Sequence, residues 1–183
     1  LPATASTSGP AVIASRVASN FTKDAYLRAV RTVKDYIEAG DVYQVNISQR
    51  FEANITGDPW QLYRRLRHVN PSPFSAFLGF PEVSVLSASP EEFLKLENGL
   101  LRTRPMKGTR PRGVSASEDR KVTSELITSE KDSAENVMIV DLMRSDLGRV
   151  CVPGSIAVPE LFAIEEYPTV YQMVSTVTGR TRA

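Results

Sequence analysis

The chain has 183 residues, 42% of them hydrophobic and 23% charged, with a formal net charge of +1. This length is enough for one domain with its own core. The balanced charge argues against nucleic acid as a partner, since phosphate binding requires a basic surplus. With Cys151 as the only cysteine, an intrachain disulfide is excluded and a cytoplasmic location is expected. No apolar run approaches the roughly 20 residues that a bilayer crossing requires, so no membrane association is expected.

The chain begins with a segment, residues 1–19, that is rich in alanine, serine and threonine and contains two prolines. This composition predicts a linker, or the remnant of a preceding N-terminal domain. Because residue 1 is leucine and no closing element follows the last strand-like run, we expect a piece of a longer protein. Residues 20–183 would then be the N-terminal portion of its main domain.

The next two elements are predicted by periodicity. An apolar face at helical spacing predicts a helix over 23–40, with Asn20 or Thr22 as the cap and Gly40 as the stop. Residues 41–55 alternate between polar and apolar, which is typical of a half-buried strand.

The remaining elements are a mixture of helices and short strands. A second helix is predicted within 57–73, with Asp58 as its cap, Pro59 as its first residue and Pro71 after its end, and two further helices over 115–148. Because helices and strands do not alternate strictly, the predicted class is α+β. Strands are expected over 74–80, 83–89, 91–104 with a hairpin turn at Asn98–Gly99, and 150–179.

The segment 102–113, RTRPMKGTRPRG, places Lys107 among four arginines. A lysine is a nucleophile only as the neutral amine, and nearby cations disfavour a further positive charge. The same arginines suit an anionic substrate that carries carboxylates. A basic surface loop explains the same spacing, and spacing alone favours that simpler reading.

Acidic residues near this segment are candidates for proton transfer. Glu91 follows Pro90 at the start of a predicted strand, and a hairpin can bring it to Lys107 as an acid or base beside the nucleophile. Glu92 is an equal candidate by its chemistry. An exposed glutamate at the edge of a strand is the alternative explanation for either residue.

A second acidic pair lies in the last predicted helix. Asp132 and Glu135 are three residues apart, so a helix places both on one face, and Mg²⁺ prefers such oxygen ligands. A solvated helix face is the commoner explanation for two carboxylates. An apolar stripe at every fourth residue is expected to face the core, formed by Ala134, Met138 and Leu142.

Six stretches, in this order, resemble the chorismate-utilising enzymes: GDVYQVNISQRF, NPSPFSAFLGF, SASPEEF, RPMKGTRPRG, AENVMIVDLMRSDLGRV and YQMVSTVTG. The resemblance runs from about residue 21 to the end of the chain. It implies a chorismate-binding α+β fold of two stacked, mainly antiparallel sheets flanked by helices, here truncated.

The resemblance also implies roles for individual residues. Lys107 corresponds to a nucleophile that attacks ring carbon 2 of chorismate, and Glu91 to the acid that helps the C4 hydroxyl leave. Substrate contacts are implied for Gly108 and Thr109, and Mg²⁺ ligation for Glu135 with Asp132 as a supporting carboxylate. A tryptophan pocket is implied along Pro73, Phe74 and Ser75.

Within the family, the resemblance is nearest to the branch that aminates chorismate to 4-amino-4-deoxychorismate on the route to folate and 4-aminobenzoate. A glutamine amidotransferase partner would supply the ammonia. The anthranilate-forming branch, which usually has alanine at the position of Lys107, is the alternative activity. A second alternative is a non-catalytic fragment that binds the amidotransferase or tryptophan, and we expect these 183 residues alone to be inactive.

Overall fold

A computed structural model describes residues 12–13 and 15–182 of the chain, which divides into two units, residues 1–65 and 66–183. Each unit combines helix with antiparallel strand pairs, which confirms the predicted α+β class. None of the helices within the described residues combines the length and the apolar character that a bilayer crossing requires.

The first unit is built around one long helix. Helix α1, Lys23–Ala39, begins where the Thr22 hydroxyl accepts a hydrogen bond from the Ala25 N–H, at 3.2 Å. It ends at Gly40, whose φ of 81° lies in the left-handed region that favours glycine. These bounds and both caps confirm the helix that was predicted from the sequence.

Two short strand pairs complete the first unit. Strand β1, Val12–Ile13, pairs with β4, Ile55–Thr56, and β2, Ala18–Ser19, pairs with β3, Phe51–Glu52. Residues 1–11 of the expected linker, and residue 14, lie outside the described residues.

The predicted strand over 41–55 is mostly wrong. Residues 42–50 form no strand, and β3 and β4 together contribute only three residues of the range, Phe51, Glu52 and Ile55. An alternating segment becomes a strand only where a neighbour pairs with its backbone, and among the described residues only β1 and β2 do so. Tyr43 and Val45, on the apolar face of the alternation, are 63% and 41% exposed.

Helix α2, Pro59–Val69, follows Asp58, whose carboxylate accepts a hydrogen bond from the Trp60 N–H at 3.0 Å. The predicted cap and the predicted proline in the first helical position are both confirmed. Beyond it, β5, Phe74–Gly79, and β6, Ser84–Ser89, form an antiparallel hairpin.

A five-stranded antiparallel sheet dominates the second unit. Its central strand pairs with one neighbour along one edge and with two successive neighbours along the other. The expected hairpin turn lies at Asn98 and Gly99, both with positive φ. The strands are β7, Glu92–Glu97; β8, Leu100–Arg104; β9, Met106–Pro111; β10, Ala157–Glu166; and the central β11, Val170–Arg180.

Two helices, α3 from Ala116 to Ile127 and α4 from Glu130 to Val150, pack on this sheet. One apolar cluster joins Val140 and Leu147 of α4 to Val177 of β11. A second joins Leu126 of α3 to Tyr171 and Met173 of β11. Alternate residues of β11 thus anchor both helices, because successive side chains of a strand point to opposite faces.

The face of α4 that enters the core differs from the predicted one. Leu142 is 37% exposed, and Ala134 is exposed as well. The expected stripe of Ala134, Met138 and Leu142 is therefore wrong. The buried positions of α4 are Asp132, Asn136, Val140 and Leu147, and two of these four are polar because they bond to the sheet rather than to water.

Candidate active site

Lys107 lies at an irregularity in strand β9. Met106 stands opposite Val174 and Thr109 opposite Gln172, so β9 uses three steps where β11 uses two. The extra residue forms a β-bulge that contains Lys107 and Gly108. Bulges bend a strand and redirect a side chain, and they are frequent beside active sites.

Glycine at position 108 is required by both its backbone and its surroundings. Its φ is +85°, and a Cβ built on it would lie 2.9 Å from Leu126 Cδ1 and 3.0 Å from Asp132 Cβ. The region of helices α3 and α4 therefore approaches the bulge so closely that only a residue without a side chain fits. The packing of these helices thus explains the glycine, and the substrate contact that the resemblance implies for Gly108 stays a prediction.

Glu91 reaches the residue next to Lys107. Its carboxylate accepts a hydrogen bond from the backbone N–H of Met106, with 3.2 Å between Oε1 and nitrogen. Glu92, the equal candidate by chemistry, is engaged differently. It is 7% exposed and binds the Arg102 guanidinium at 2.7 and 2.9 Å, and this hydrogen bonding holds its pKa below the usual value. Of the two glutamates, only Glu91 has no arginine partner among the described residues.

The four arginines around Lys107 all have carboxylate partners. Arg102 pairs with Glu92, Arg104 with Glu165 and Glu160, Arg110 with Asp132, and Arg112 with Asp119 and Glu166. Their charges are locally compensated, so the expectation that they act on Lys107 or on an anionic substrate as unpaired cations is not supported by their contacts.

Lys107 is the exception in this segment. Of its five cations, it alone forms no ion pair with any residue that the structure describes, and its side chain is half-buried. The amine of Lys107 is therefore not committed to a structural ion pair within the described residues, which the sequence alone could not show.

Asp132 and Glu135, the predicted metal ligands, lie near the start of α4 in different surroundings. Asp132 is 6% exposed and accepts from Arg110 at 2.7 Å. Hydrogen bonds from Ser129 and Arg110 hold the pKa of its carboxyl group below the usual value, although burial acts in the opposite direction. Glu135 is 42% exposed and lies 3.7 Å from Lys131, a weak contact.

Asp132 and Glu135 provide only part of the ligands that a magnesium ion requires. Mg²⁺ is usually held by one or two carboxylates together with substrate oxygens and water, and Glu135 is available for that role, whereas Asp132 must share its charge with Arg110. Within the described residues, no three histidine, cysteine, aspartate or glutamate side chains gather as a metal site. Substrate or other groups would have to complete the coordination.

Some of the other predicted residues line one of two recesses in the surface. Thr109 lines a cavity of about 270 Å³ together with Pro90, Gln172, Tyr167 and Ser72. Phe74 and Glu91 line an open depression of about 500 Å³. Of the predicted tryptophan pocket, Phe74 thus lines the second of these recesses, whereas Pro73 and Ser75 line neither of the two. The Ser75 hydroxyl instead donates to the Ser72 carbonyl at 2.8 Å.

Two residues at the back of the site were missed. Asn136 and Ser175 are both fully buried and hydrogen-bonded to each other. Asn136 lies in the stretch AENVMIVDLMRSDLGRV and Ser175 in YQMVSTVTG, but a single asparagine or serine gives no periodic signal. A polar residue at a position where the helical repeat requires an apolar one is the only hint that the sequence offers.

The chain is similar in sequence to proteins of one known family. The model of the chorismate binding enzyme family matches residues 2–183. The chain is 51% identical over 176 residues to aminodeoxychorismate synthase component 1 of Salmonella typhimurium, and the matched segment is 96% of this chain and 39% of that protein. It is 46% identical over 165 residues to anthranilate synthase component 1 of Thermus thermophilus, covering 90% and 36%.

A solved structure agrees with these matches. Anthranilate synthase component I from Streptococcus pneumoniae superposes with a TM-score of 0.81 at 33% identity, over 95% of this chain and 37% of that one. The chain thus spans well under half the length of the relatives it matches. From the extent of the family match and the shared fold, we conclude that the chain belongs to the chorismate binding enzyme family.

Proposed function

We propose that this chain carries the reactive lysine of an enzyme that aminates chorismate to 4-amino-4-deoxychorismate. The observation that carries the proposal is the half-buried Lys107, which has no ion-pair partner in the described part of the chain and lies in a bulge next to Met106, the residue that Glu91 binds. The relative named for this activity is 51% identical to the chain, which supports the choice of reaction.

The proposed reaction has two substitution steps. Neutral Lys107 Nζ bonds to ring carbon 2, both ring double bonds shift towards C4, and the C4–O bond breaks as Glu91 gives its proton to the oxygen, which leaves as water. Ammonia then bonds to C4, the C2–N bond breaks, and Lys107 is released as the neutral amine. One proton of the new ammonium group returns to Glu91, so both residues end as they began.

The other predicted residues have binding roles in this proposal. Thr109 offers its hydroxyl to the substrate from the cavity that it lines with Gln172, and Gly108 would contact the substrate through its backbone. Glu135, with Asp132, would hold Mg²⁺, which when bound supplies a Lewis acid for a substrate carboxylate. Ammonia would come from a glutamine amidotransferase partner, in the cytoplasm.

Anthranilate formation is the second candidate function. The 46% identity to a relative named anthranilate synthase component 1 favours it nearly as much as the first. In that case the same substrate would lose its enolpyruvyl side chain after amination.

Product analysis separates the two candidates. The protein expressed from its complete reading frame would be incubated with chorismate, an ammonium salt and Mg²⁺, and the products separated by chromatography. We expect aminated chorismate without pyruvate. Release of pyruvate together with anthranilate would replace the first proposal by the second, and failure to consume chorismate would refute both.

A further inference from the structure

A hydrogen-bonded pair of buried polar side chains lies behind the candidate site and has no role in the proposed chemistry. Asn136 of α4 and Ser175 of β11 are both fully buried, and the Ser175 hydroxyl donates to Asn136 Oδ1 at 2.5 Å. We refer to this contact as the Asn136–Ser175 bridge. Burying polar groups costs stability unless they are bonded, so its place in the core requires a reason.

Ser175 lies where strand β11 changes neighbours. Val177 is opposite Thr103 of β8, and Val174 is opposite Met106 of β9. The two strands are separated by Pro105, which has no N–H to give to a sheet. The backbone N–H of Ser175 donates to the Pro105 carbonyl at 3.0 Å, and therefore fixes the chain two residues before Lys107.

The bridge also joins a third element. The Ser175 hydroxyl accepts from the backbone N–H of Phe162 at 3.1 Å. Phe162 has a positive φ of 60° in the irregular stretch of β10 between Glu160 and Ala163. Asn136 Nδ2 donates to the Met173 carbonyl at 3.4 Å. A helix and the irregular parts of two strands are therefore tied together through one pair of side chains.

On the helix, Asn136 directly follows Glu135. The rest of the contact between α4 and β11 is formed by apolar side chains such as Val140 and Leu147 packed on Val177, which tolerates small shifts and rotations. A hydrogen bond, which requires a fixed distance and angle, does not tolerate such shifts and rotations. Together with the contact between Asp132 and Arg110 of β9, the bridge restricts the rotation of α4 about its axis, and with it the direction of Glu135.

We propose that Asn136 and Ser175 are positioning residues. They hold the Lys107 bulge and the carboxylate of Glu135 at a fixed distance from each other. The inference rests on the proposed function, because it assigns the distance to the reaction of Lys107. Misplacement of a reacting group by about 1 Å can reduce a rate about 100-fold, so the bridge would act on turnover more than on substrate affinity.

The test uses the protein expressed from its complete reading frame, with the variants Ser175→Ala, Asn136→Leu and the double variant. For each variant, turnover of chorismate with ammonium is measured at a temperature well below the Tm of that variant. We expect kcat to fall about 10- to 100-fold in each single variant while KM for chorismate stays within about twofold. The double variant should be no slower than the slower single variant, since the two residues act as one unit.

Ser155→Ala is the matched control. The Ser155 hydroxyl also accepts from β11, at the Arg180 N–H, but this residue is the last of the strand, and loss of the hydroxyl should leave kcat unchanged. A lower Tm with unchanged kcat in the bridge variants, or failure of both single variants to fold, would assign the bridge to stability alone and overturn the inference. Product identity in the unmodified protein is a separate readout, so failure of the proposed function would be recognised independently.

Discussion

Glu91 binds the backbone of Met106, the residue immediately before Lys107, through its carboxylate oxygen at 3.2 Å. A glutamate near the start of β7 is thereby held beside the bulge in β9, fifteen residues further along the chain. The hydrogen bond fixes one oxygen of the carboxyl group and leaves the other for proton transfer. Position and chemistry thus agree for Glu91, whereas Glu92 is committed to Arg102.

Replacing Glu91 by glutamine tests the proton-transfer role. The amide oxygen can still accept from the Met106 N–H, but the side chain has no acidic proton. We expect kcat to fall about 100- to 10,000-fold, with stability changed by less than about 0.5 kcal/mol because Glu91 is exposed. Glu97→Gln, at the other end of β7, is the control. A kcat near that of the control would exclude Glu91 as the acid.

Replacing Lys107 by alanine tests the nucleophile. Without the amine no covalent adduct can form, and we expect amination with added ammonium salt to fall about 1,000-fold or more. Lys121→Ala, on the exposed face of α3, should retain full activity. Mass spectrometry of quenched reactions should detect the adduct in the unmodified protein only. Normal amination by the Lys107 variant would refute the mechanism.

The sequence predicted a large part of this fold and less of the site. Caps such as Thr22 and turns such as Asn98–Gly99 are local, so their residues specify them directly. The strand predicted over 41–55 failed because strand formation depends on a pairing partner that no local pattern reveals. The same limit applies to the buried face of α4, where Asn136 is chosen by its contact with Ser175 rather than by periodicity.

The arginine-rich segment shows a related limit. Sequence reasoning can count the charges around Lys107, but their effect depends on distant partners. Glu165 lies 61 residues from Arg104, and Asp132 lies 22 residues from Arg110. Compensation of charge is a property of the folded chain, so a cluster of like charges in sequence does not predict the field at its centre.

Replacing Gly108 by alanine tests the tight contact behind the bulge. A left-handed backbone costs about 1–2 kcal/mol in a residue with a side chain, and the collision with Leu126 and Asp132 adds about 1–3 kcal/mol. We expect the free energy of unfolding to fall by about 2–5 kcal/mol in total, measured by urea denaturation. Gly148→Ala in α4, where a Cβ meets nothing within 4 Å, should instead stabilise by about 0.5–1 kcal/mol.

If Gly108→Ala cost no more than an ordinary surface substitution, the helices would not approach the bulge as closely as the structure has them. Activity gives a second readout. Displacement of the bulge should lower kcat in any molecules that remain folded, while Gly148→Ala should leave it unchanged.

Replacing Glu135 by glutamine tests the proposed metal role. Loss of a charged ligand should raise the Mg²⁺ concentration for half-maximal activity about 10- to 100-fold, the range found for residues that support metal sites, with little effect at saturating Mg²⁺ if Asp132 still contributes. Glu130→Gln, an exposed carboxylate in the first turn of the same helix, is the control. An unchanged Mg²⁺ requirement would remove Glu135 from the metal site.

Acid stability should depend on Asp119. Hydrogen bonds from Arg112 lower the pKa of its carboxyl group from 3.8 to about 2, and the same guanidinium also binds Glu166 and lies 4.8 Å from the Tyr171 ring. A group whose pKa is lower in the folded state stabilises the fold above its ordinary pKa and loses that contribution as the pH falls through its folded-state pKa. The free energy of unfolding should therefore decrease between about pH 4 and pH 2.

Asp119→Asn isolates this contribution. The amide cannot titrate, so the variant should be less stable than the unmodified protein at neutral pH and should lose less stability between pH 4 and pH 2, as measured by urea denaturation at each pH. Asp141→Asn is the matched control, because Asp141 also pairs with an arginine but does so on an exposed helix face. Since its partner is largely solvated, its replacement should leave the pH profile unchanged. Parallel profiles for Asp119→Asn and the unmodified protein would mean that Arg112 does not hold the Asp119 carboxylate in the ionised form.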